Sequence, residues 1–80
     1  MNQELIECVY QAIETYIDEH GIPPSHRIIA ERCFISKGAV GTYLTYLEKQ
    51  HRIEREYGVA RGIRMVKEKS GQTSDQTSEN

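Results

Sequence analysis

A chain of 80 residues is long enough for one small domain and leaves no room for a separate catalytic domain. Its composition, 38% hydrophobic and 28% charged, is typical of a globular protein in water, and no apolar run approaches a membrane span. The net charge of −2 is unevenly distributed: residues 1–20 carry five acids and no lysine or arginine, residues 21–69 carry ten basic residues against five acids, and residues 70–80 carry two acids. The basic middle favours phosphate binding, with a mixed solvated surface as the alternative.

The first helix is predicted from about Asn2 to His20 by apolar residues at three- and four-residue intervals. Gly21 is placed to end it in the left-handed conformation, and the two prolines that follow prevent the helix from resuming. We predict that this helix is scaffold, with these residues in the core: Leu5, Val9, Ile13 and Ile17.

Two further helices follow, separated by a short turn. Ser25 is a plausible N-cap for a helix from His26 to Cys33, whose inward residues would be Ile29, Ala30 and Cys33. Phe34-Ile35 then forms a tight apolar turn, and Ser36 is predicted to cap the next helix. Two helices joined in this way predict a helix-turn-helix.

The stretch Ile35 to Gln50 is predicted to be a DNA-recognition helix. Val40, Leu44 and Leu47 form one apolar stripe, and a second face carries only small or short polar residues. A major groove admits one helix, and short side chains allow it to sit deep. The alternative is an ordinary surface helix of poor propensity, because each interior glycine costs about 1 kcal/mol relative to alanine. Tyr43 and Tyr46 are predicted to be half-buried supports.

A β-hairpin is predicted after the third helix, from Arg52–Glu56 and Ile63–Val66 with two glycines in the connecting turn. A hairpin in this position is a wing. The fold class predicted is therefore mainly α with a small β-hairpin, a three-helix winged helix-turn-helix over residues 1–69. Residues 70–80 are polar and without branched apolar or aromatic side chains, so we predict a disordered tail or the start of a linker.

The candidate DNA-binding residues fall into two groups. Groove-facing positions begin at the amino-terminal turn of the third helix, where free N–H groups favour a phosphate; these are Ser36, Lys37, Gly38, Ala39, Gly41, Thr42 and Thr45. Basic positions would bind the phosphates: Arg27, Lys49, Arg52, Arg55 and Arg61. Arg32 and Arg64 could bind DNA or instead pair with Glu31, Glu54 or Glu56. Tyr57 could stack on a sugar or pack beneath the hairpin.

Other classes of site find little support in the sequence. The two cysteines, Cys8 and Cys33, and the three histidines are not spaced as metal ligands, so we expect reduced cysteines, no metal and no cofactor, with a zinc site as the alternative. No nucleophile paired with a base and no phosphate loop is evident, so we expect no enzyme. The amino terminus lacks a secretory signal, so we expect a cytoplasmic, nucleoid-associated protein.

The order of elements and several motifs resemble the amino-terminal winged-helix domain of the LexA repressors of the bacterial SOS response. The motifs are GIPPS at residues 21–25, Ile29-Ala30, the leucines at 44 and 47, and Gly58-x-x-Arg61-Gly62-Ile63-Arg64 in the wing. The resemblance implies base readers at Ser36, Gly38, Ala39, Gly41 and Thr42, and wing contacts with the DNA backbone near Arg55 to Arg61.

Three departures separate the chain from that pattern. Ile28 stands where the family has an acidic capping residue, the turn at residues 33–35 is one residue short and lacks its usual glycine, and larger polar readers are replaced by glycine and alanine. The family's self-cleaving, dimerising protease domain is expected to be absent from these residues. We therefore predict a LexA-like transcriptional regulator that binds duplex DNA, with a homodimer on a palindromic site as one arrangement. A protein-interaction winged helix and a non-specific architectural DNA-binding protein are the alternatives.

Overall fold

The computed structural model describes residues 2–56, 58 and 62–66. Three helices are followed by a two-stranded antiparallel hairpin: α1 (Gln3–His20), α2 (His26–Cys33), α3 (Lys37–Lys49), β1 (Ile53–Arg55) and β2 (Ile63–Met65). This architecture confirms the predicted winged helix-turn-helix. Within the described ranges, no helix has the length and apolar character that crossing a membrane requires.

Side-chain caps fix where the helices begin. The hydroxyl oxygen of Ser25 accepts a hydrogen bond from the backbone N–H of Ile28 at 3.3 Å, and that of Ser36 accepts one from Ala39 at 3.1 Å. Asn2 caps α1 in the same way. Each cap satisfies a backbone donor that has no partner inside its helix. Both predicted serine caps are therefore confirmed.

The ends of α1 and α2 both use the left-handed conformation. Gly21 has φ of 75° and donates its N–H to the carbonyl of Ile17, as predicted. At the end of α2 the same conformation falls on Phe34, with φ of 58°. Phe34 therefore occupies the left-handed position at which glycine usually ends a helix, so the turn forms here without a glycine. The turn is present, but Phe34 does not pack: its exposed fraction is 93%.

The core lies between the three helices and is closed at one side by the hairpin. The inward residues predicted for α2 and α3 are confirmed, because all six are buried. The fully or nearly fully buried apolar residues are Ile6, Val9, Ala12, Ile13, Ile29, Ala30, Cys33, Val40, Tyr43, Leu44, Leu47, Ile53 and Ile63. Tyr46 is half-buried, as predicted, whereas Tyr43 is buried more deeply than predicted.

The prediction for α1 was wrong in part, because Leu5 and Ile17 are only partly buried at the edge of the core. Ile6 and Ala12 take the inward positions beside Val9 and Ile13. Helix α1 packs against both α2 and α3, so its buried stripe is centred on the line between those two helices. Ala12 is small enough for the helices to approach closely, and apolar spacing alone did not reveal this rotation.

The two cysteines meet where α1 packs on α2. Cys33 is buried and Cys8 is half-buried, and both are free. Burial, followed by a hydrogen bond with Cys8, raises the pKa of the Cys33 thiol to about 12. Cys33 is therefore a protonated core residue at neutral pH.

The hairpin places one face against the core and the other in solvent. Ile53 pairs with Met65 and Arg55 pairs with Ile63 across the two strands. Ile53 and Ile63 are buried, whereas Glu54 and its partner Arg64 lie on the outer face. The hairpin is thereby fixed beside the carboxyl end of α3.

Candidate nucleic-acid interface

The amino-terminal turn of α3 presents a cluster of exposed short residues. Ser36, Lys37 and Gly38 are exposed and Ala39 is half-buried. The Ser36 hydroxyl is already the N-cap of the helix. Lys37 is the first helical residue, where backbone N–H groups and the helix dipole favour an anion. This turn can therefore hold a phosphate with Lys37 beside it.

The outer face of α3 is open at both of its glycines. A Cβ atom built on Gly41 would meet nothing within 4 Å, and one built on Gly38 would meet only the Ser36 hydroxyl at 3.9 Å. Neither glycine has a positive φ. The fold therefore does not require glycine at either position, and the absence of side chains leaves a surface that another molecule can approach closely.

The two threonines on this face use their hydroxyl protons within the helix. Thr42 donates to the carbonyl of Gly38 at 3.4 Å, and Thr45 donates to the carbonyl of Gly41 at 3.0 Å. Both side chains are exposed. Together with Tyr46 and Lys49 they line an open hollow of about 330 Å³.

A wider groove separates the carboxyl half of α3 from the hairpin. It has a volume of about 920 Å³, and its basic lining residues are Lys49, His51, Arg55 and Arg64. Glu48 and Glu54 are its acidic lining residues, and Glu54 pairs with Arg64 at 3.2 Å. The predicted alternative for Arg64, an ion pair with Glu54, is thus confirmed. Lys49 and Arg55 frame the two sides of this groove.

A cluster of basic residues also lies where the starts of two helices meet the end of a strand. His26 begins α2, Lys37 begins α3 and Arg55 ends β1. Burial, followed by the positive charges of Arg55 and Lys37, lowers the pKa of the His26 imidazole. His26 was not among the residues predicted for the interface. Its position directly after the Ser25 cap was the only signal in the sequence that could have pointed to it.

Arg52 is turned away from the other basic residues and toward α1. Its guanidinium donates two hydrogen bonds to the carboxylate of Glu7, at 2.6 and 3.0 Å, and lies 4.0 Å from the centre of the Tyr10 ring. The hydrogen bond with Arg52 is the main cause that lowers the pKa of Glu7. A DNA contact by Arg52 remains a prediction, and the guanidinium would have to leave Glu7 to make it.

Two arginines of α2 also have acidic partners. Arg27 pairs with Glu31 one helical turn away at 3.5 Å, and both side chains are largely exposed. Arg32 pairs with Glu19 of α1 at 3.3 Å, not with the Glu31 suggested by the sequence. Adjacent residues on a helix point in different directions, so Arg32 and Glu31 do not face each other. Arg27 keeps an exposed position, whereas Arg32 serves the contact between α1 and α2.

Several predictions fall on residues that the structure does not describe. Arg61 and Tyr57 of the wing lie outside the described residues, and so does the segment predicted to be a disordered tail. Within the described part of the chain, no group of three or more histidine, cysteine, aspartate or glutamate side chains could hold a metal ion. Apart from Arg52, the candidate DNA-binding residues that the structure describes lie on α3 and its cap, at the start of α2 and at the end of β1.

Comparison with known proteins matches this arrangement to one family. The family model described as "LexA DNA binding domain" matches residues 5–62. The LexA repressor of Thermotoga neapolitana is 42% identical over 55 residues, which cover 69% of this chain and 28% of that protein. The LexA repressor of Thermotoga maritima is 42% identical over a segment of the same length. The match thus covers a little over a quarter of the length of these relatives.

Proposed function

Because this chain belongs to the LexA DNA-binding domain family, we propose that it binds duplex DNA and represses transcription by occupying an operator. The observation that carries the proposal is the outer face of α3. It is open, uncharged and free of large side chains in its middle, and a basic residue lies at each end, Lys37 and Lys49. A face of this kind fits the floor of a major groove, and the lysines at its ends fit the phosphates along its edges.

The proposed contacts divide into two kinds. Ser36, Lys37, Gly38, Ala39, Gly41, Thr42 and Thr45 face the bases or the nearest phosphate. Arg27, Lys49, Arg55 and Arg61 neutralise phosphates farther along the duplex, and Arg52 holds the hairpin against α1. Because phosphate contacts carry no sequence information, affinity comes mainly from the second set and sequence preference from the first.

The net charge of −2 does not oppose this assignment. All five acids in residues 1–20 belong to α1. Glu7 pairs with Arg52 and Glu19 with Arg32, while Glu14 and Asp18 line a separate groove between α1 and β2. A duplex contacts one surface, so the local charge of that surface matters more than the total.

The salt dependence of binding tests the proposal. Each neutralised phosphate contributes a slope of about −0.9 to the logarithm of the association constant against the logarithm of salt concentration. We expect Lys49→Ala to reduce the magnitude of the slope by about one unit for every duplex sequence. Arg32→Ala is the matched control, because its guanidinium faces Glu19 and Tyr16, and we expect no change in slope.

Binding that does not weaken as salt rises would contradict the proposal and favour a protein partner for the small face of α3. Selection of bound sequences from a random duplex pool then tests operator binding. A defined site supports a repressor, and an inverted repeat at one-turn spacing supports a dimer. Selection without any common sequence would instead support a non-specific architectural role.

A further inference from the structure

Thr42 and Thr45 present an unusual combination of groups on the outer face of α3. Each hydroxyl donates its single proton to a backbone carbonyl four residues earlier, at 3.4 and 3.0 Å. A threonine hydroxyl has one donor and two acceptor lone pairs. In this arrangement, each hydroxyl directs its proton to its own helix, and the side chain offers the outside acceptor lone pairs and a methyl group.

The hollow beside these threonines has a matching composition. Thr42, Thr45, Tyr46 and Lys49 line it, and its volume is about 330 Å³. The methyl groups and the half-buried ring of Tyr46 supply apolar walls, while the exposed ammonium of Lys49 stands at the rim, where a phosphate would pass. A small apolar group fits a hollow of this size and lining.

The four base pairs differ in what they offer such a surface. In the major groove, guanine presents two acceptors and cytosine an amino donor, whereas adenine presents one acceptor and an amino donor and thymine one acceptor and a methyl group. To donate to an acceptor of guanine, either hydroxyl would have to give up its hydrogen bond to the helix carbonyl. An A·T pair supplies both complementary groups, a methyl for the hollow and an amino donor for a threonine lone pair, whereas a G·C pair supplies only the amino donor, from cytosine.

We propose that the hollow formed by Thr42, Thr45, Tyr46 and Lys49 recognises an A·T pair by holding the thymine methyl group, with a threonine hydroxyl accepting a hydrogen bond from the adenine amino group. This inference rests on the proposed binding of α3 in the major groove. It makes the threonines specificity-determining residues whose preference is for A·T over G·C.

The proposal is tested by removing one chemical group at a time from the bases of the DNA. After selection of a preferred duplex, each thymine is replaced in turn by deoxyuridine, which lacks only the methyl group. We expect a loss of about fourfold in affinity at one or two positions, the value for one buried methyl group, and no loss elsewhere. Replacing the paired adenine by purine, which lacks the amino group, should cost roughly three- to tenfold at the same pair.

Paired variants separate the two groups of each threonine. Thr→Ser at position 42 or 45 keeps the hydroxyl and removes the methyl. The variant should therefore bind the thymine and deoxyuridine duplexes with nearly equal affinity. Thr→Val keeps a methyl and removes the hydroxyl, so the loss caused by purine should disappear while the deoxyuridine effect remains. Thr15→Ser, on the exposed face of α1, is the control and should change neither loss.

The outcomes distinguish this inference from the proposed function. A defined, salt-dependent site at which every deoxyuridine duplex binds like its thymine parent overturns the inference and leaves operator binding intact. A selected site with G·C pairs at all positions sensitive to Thr42 and Thr45 also overturns it. Absence of salt-dependent duplex binding overturns the proposed function itself.

Discussion

Gly41→Ala should stabilise the domain and weaken its binding to DNA. Gly41 lies inside α3, and a Cβ atom there would meet nothing within 4 Å. Alanine is more favourable than glycine in a helix interior by about 1 kcal/mol. No packing cost opposes that gain, so we expect the free energy of unfolding to rise by about 1 kcal/mol. For a domain of 60 to 100 residues, this raises Tm by roughly 4 to 8 °C.

The same methyl group would occupy space that we assign to the DNA. Inserting an extra methyl group into a closely packed contact costs roughly 1 to 3 kcal/mol, so affinity for the selected duplex should fall by about tenfold. Thermal denaturation measures the stability, and fluorescence anisotropy at fixed salt measures the affinity. Thr15→Ala is a matched control, because it improves helix propensity on exposed α1 and should raise Tm without changing affinity.

Two results would refute this reasoning. A lower Tm for Gly41→Ala would mean that the position is crowded or that its backbone is not helical. A higher Tm with unchanged affinity would mean that the outer face of α3 does not approach the DNA closely, and the recognition surface would then lie elsewhere.

Three further predictions concern the scaffold. Leu44→Ala removes a fully buried side chain and should lower the free energy of unfolding by about 2 to 5 kcal/mol in urea denaturation, and an unchanged midpoint would mean that α3 is rotated. Glu7→Gln should lower Tm at pH 7, because it removes the ionised partner of Arg52. Arg52 lowers the pKa of Glu7 in the folded protein, so the ion pair stabilises the fold fully above pH 4.5, the ordinary pKa. This stabilisation is lost as the pH falls through the lower pKa of the folded state. Thermal scans should therefore converge with wild type in acid, and a constant difference would contradict the pairing. Phe34→Gly should leave the urea midpoint nearly unchanged or raise it, since Phe34 is left-handed and 93% exposed, and a loss above about 1 kcal/mol would show that the ring packs.

The boundaries of the helices were predictable because their signals are local. Ser25 and Ser36 cap helices through hydrogen bonds to donors three residues away, and Gly21 ends α1 through its own backbone conformation. Such interactions depend on a few neighbouring residues, so the sequence contains all the information needed to place them.

The rotation of α1 was not predictable in the same way. Leu5, Ile6, Val9, Ile13 and Ile17 are all apolar, and the sequence permits a buried stripe centred on either side. Which of these residues face inward depends on where α2 and α3 lie, and that is settled by contacts distant in sequence. Phe34 is a different case, because it adopts a local left-handed conformation at the end of α2 that is usually taken by glycine.

The exposed face that forms the candidate site could be predicted from the sequence, but the partners of its side chains could not. The small face of α3 could be identified from spacing, but the hydrogen bonds of Thr42 and Thr45 to the helix backbone depend on side-chain rotation. The partner of Arg52 could not be inferred either, because Glu7 is 45 positions away in sequence. His26 was missed because its basic neighbours come from α3 and β1.

The pairing of Arg52 with Glu7 has a consequence for genetic screens. The pair ties the base of the hairpin to a helix that lies away from the proposed DNA face, and the ring of Tyr10 stacks against the same guanidinium. Loss of either α1 residue would remove this tie and leave the hairpin held by its buried face alone. Under the proposed function, alleles at residues 7 and 10 should therefore be isolated as derepressed mutants, and second-site suppressors should map to the hairpin.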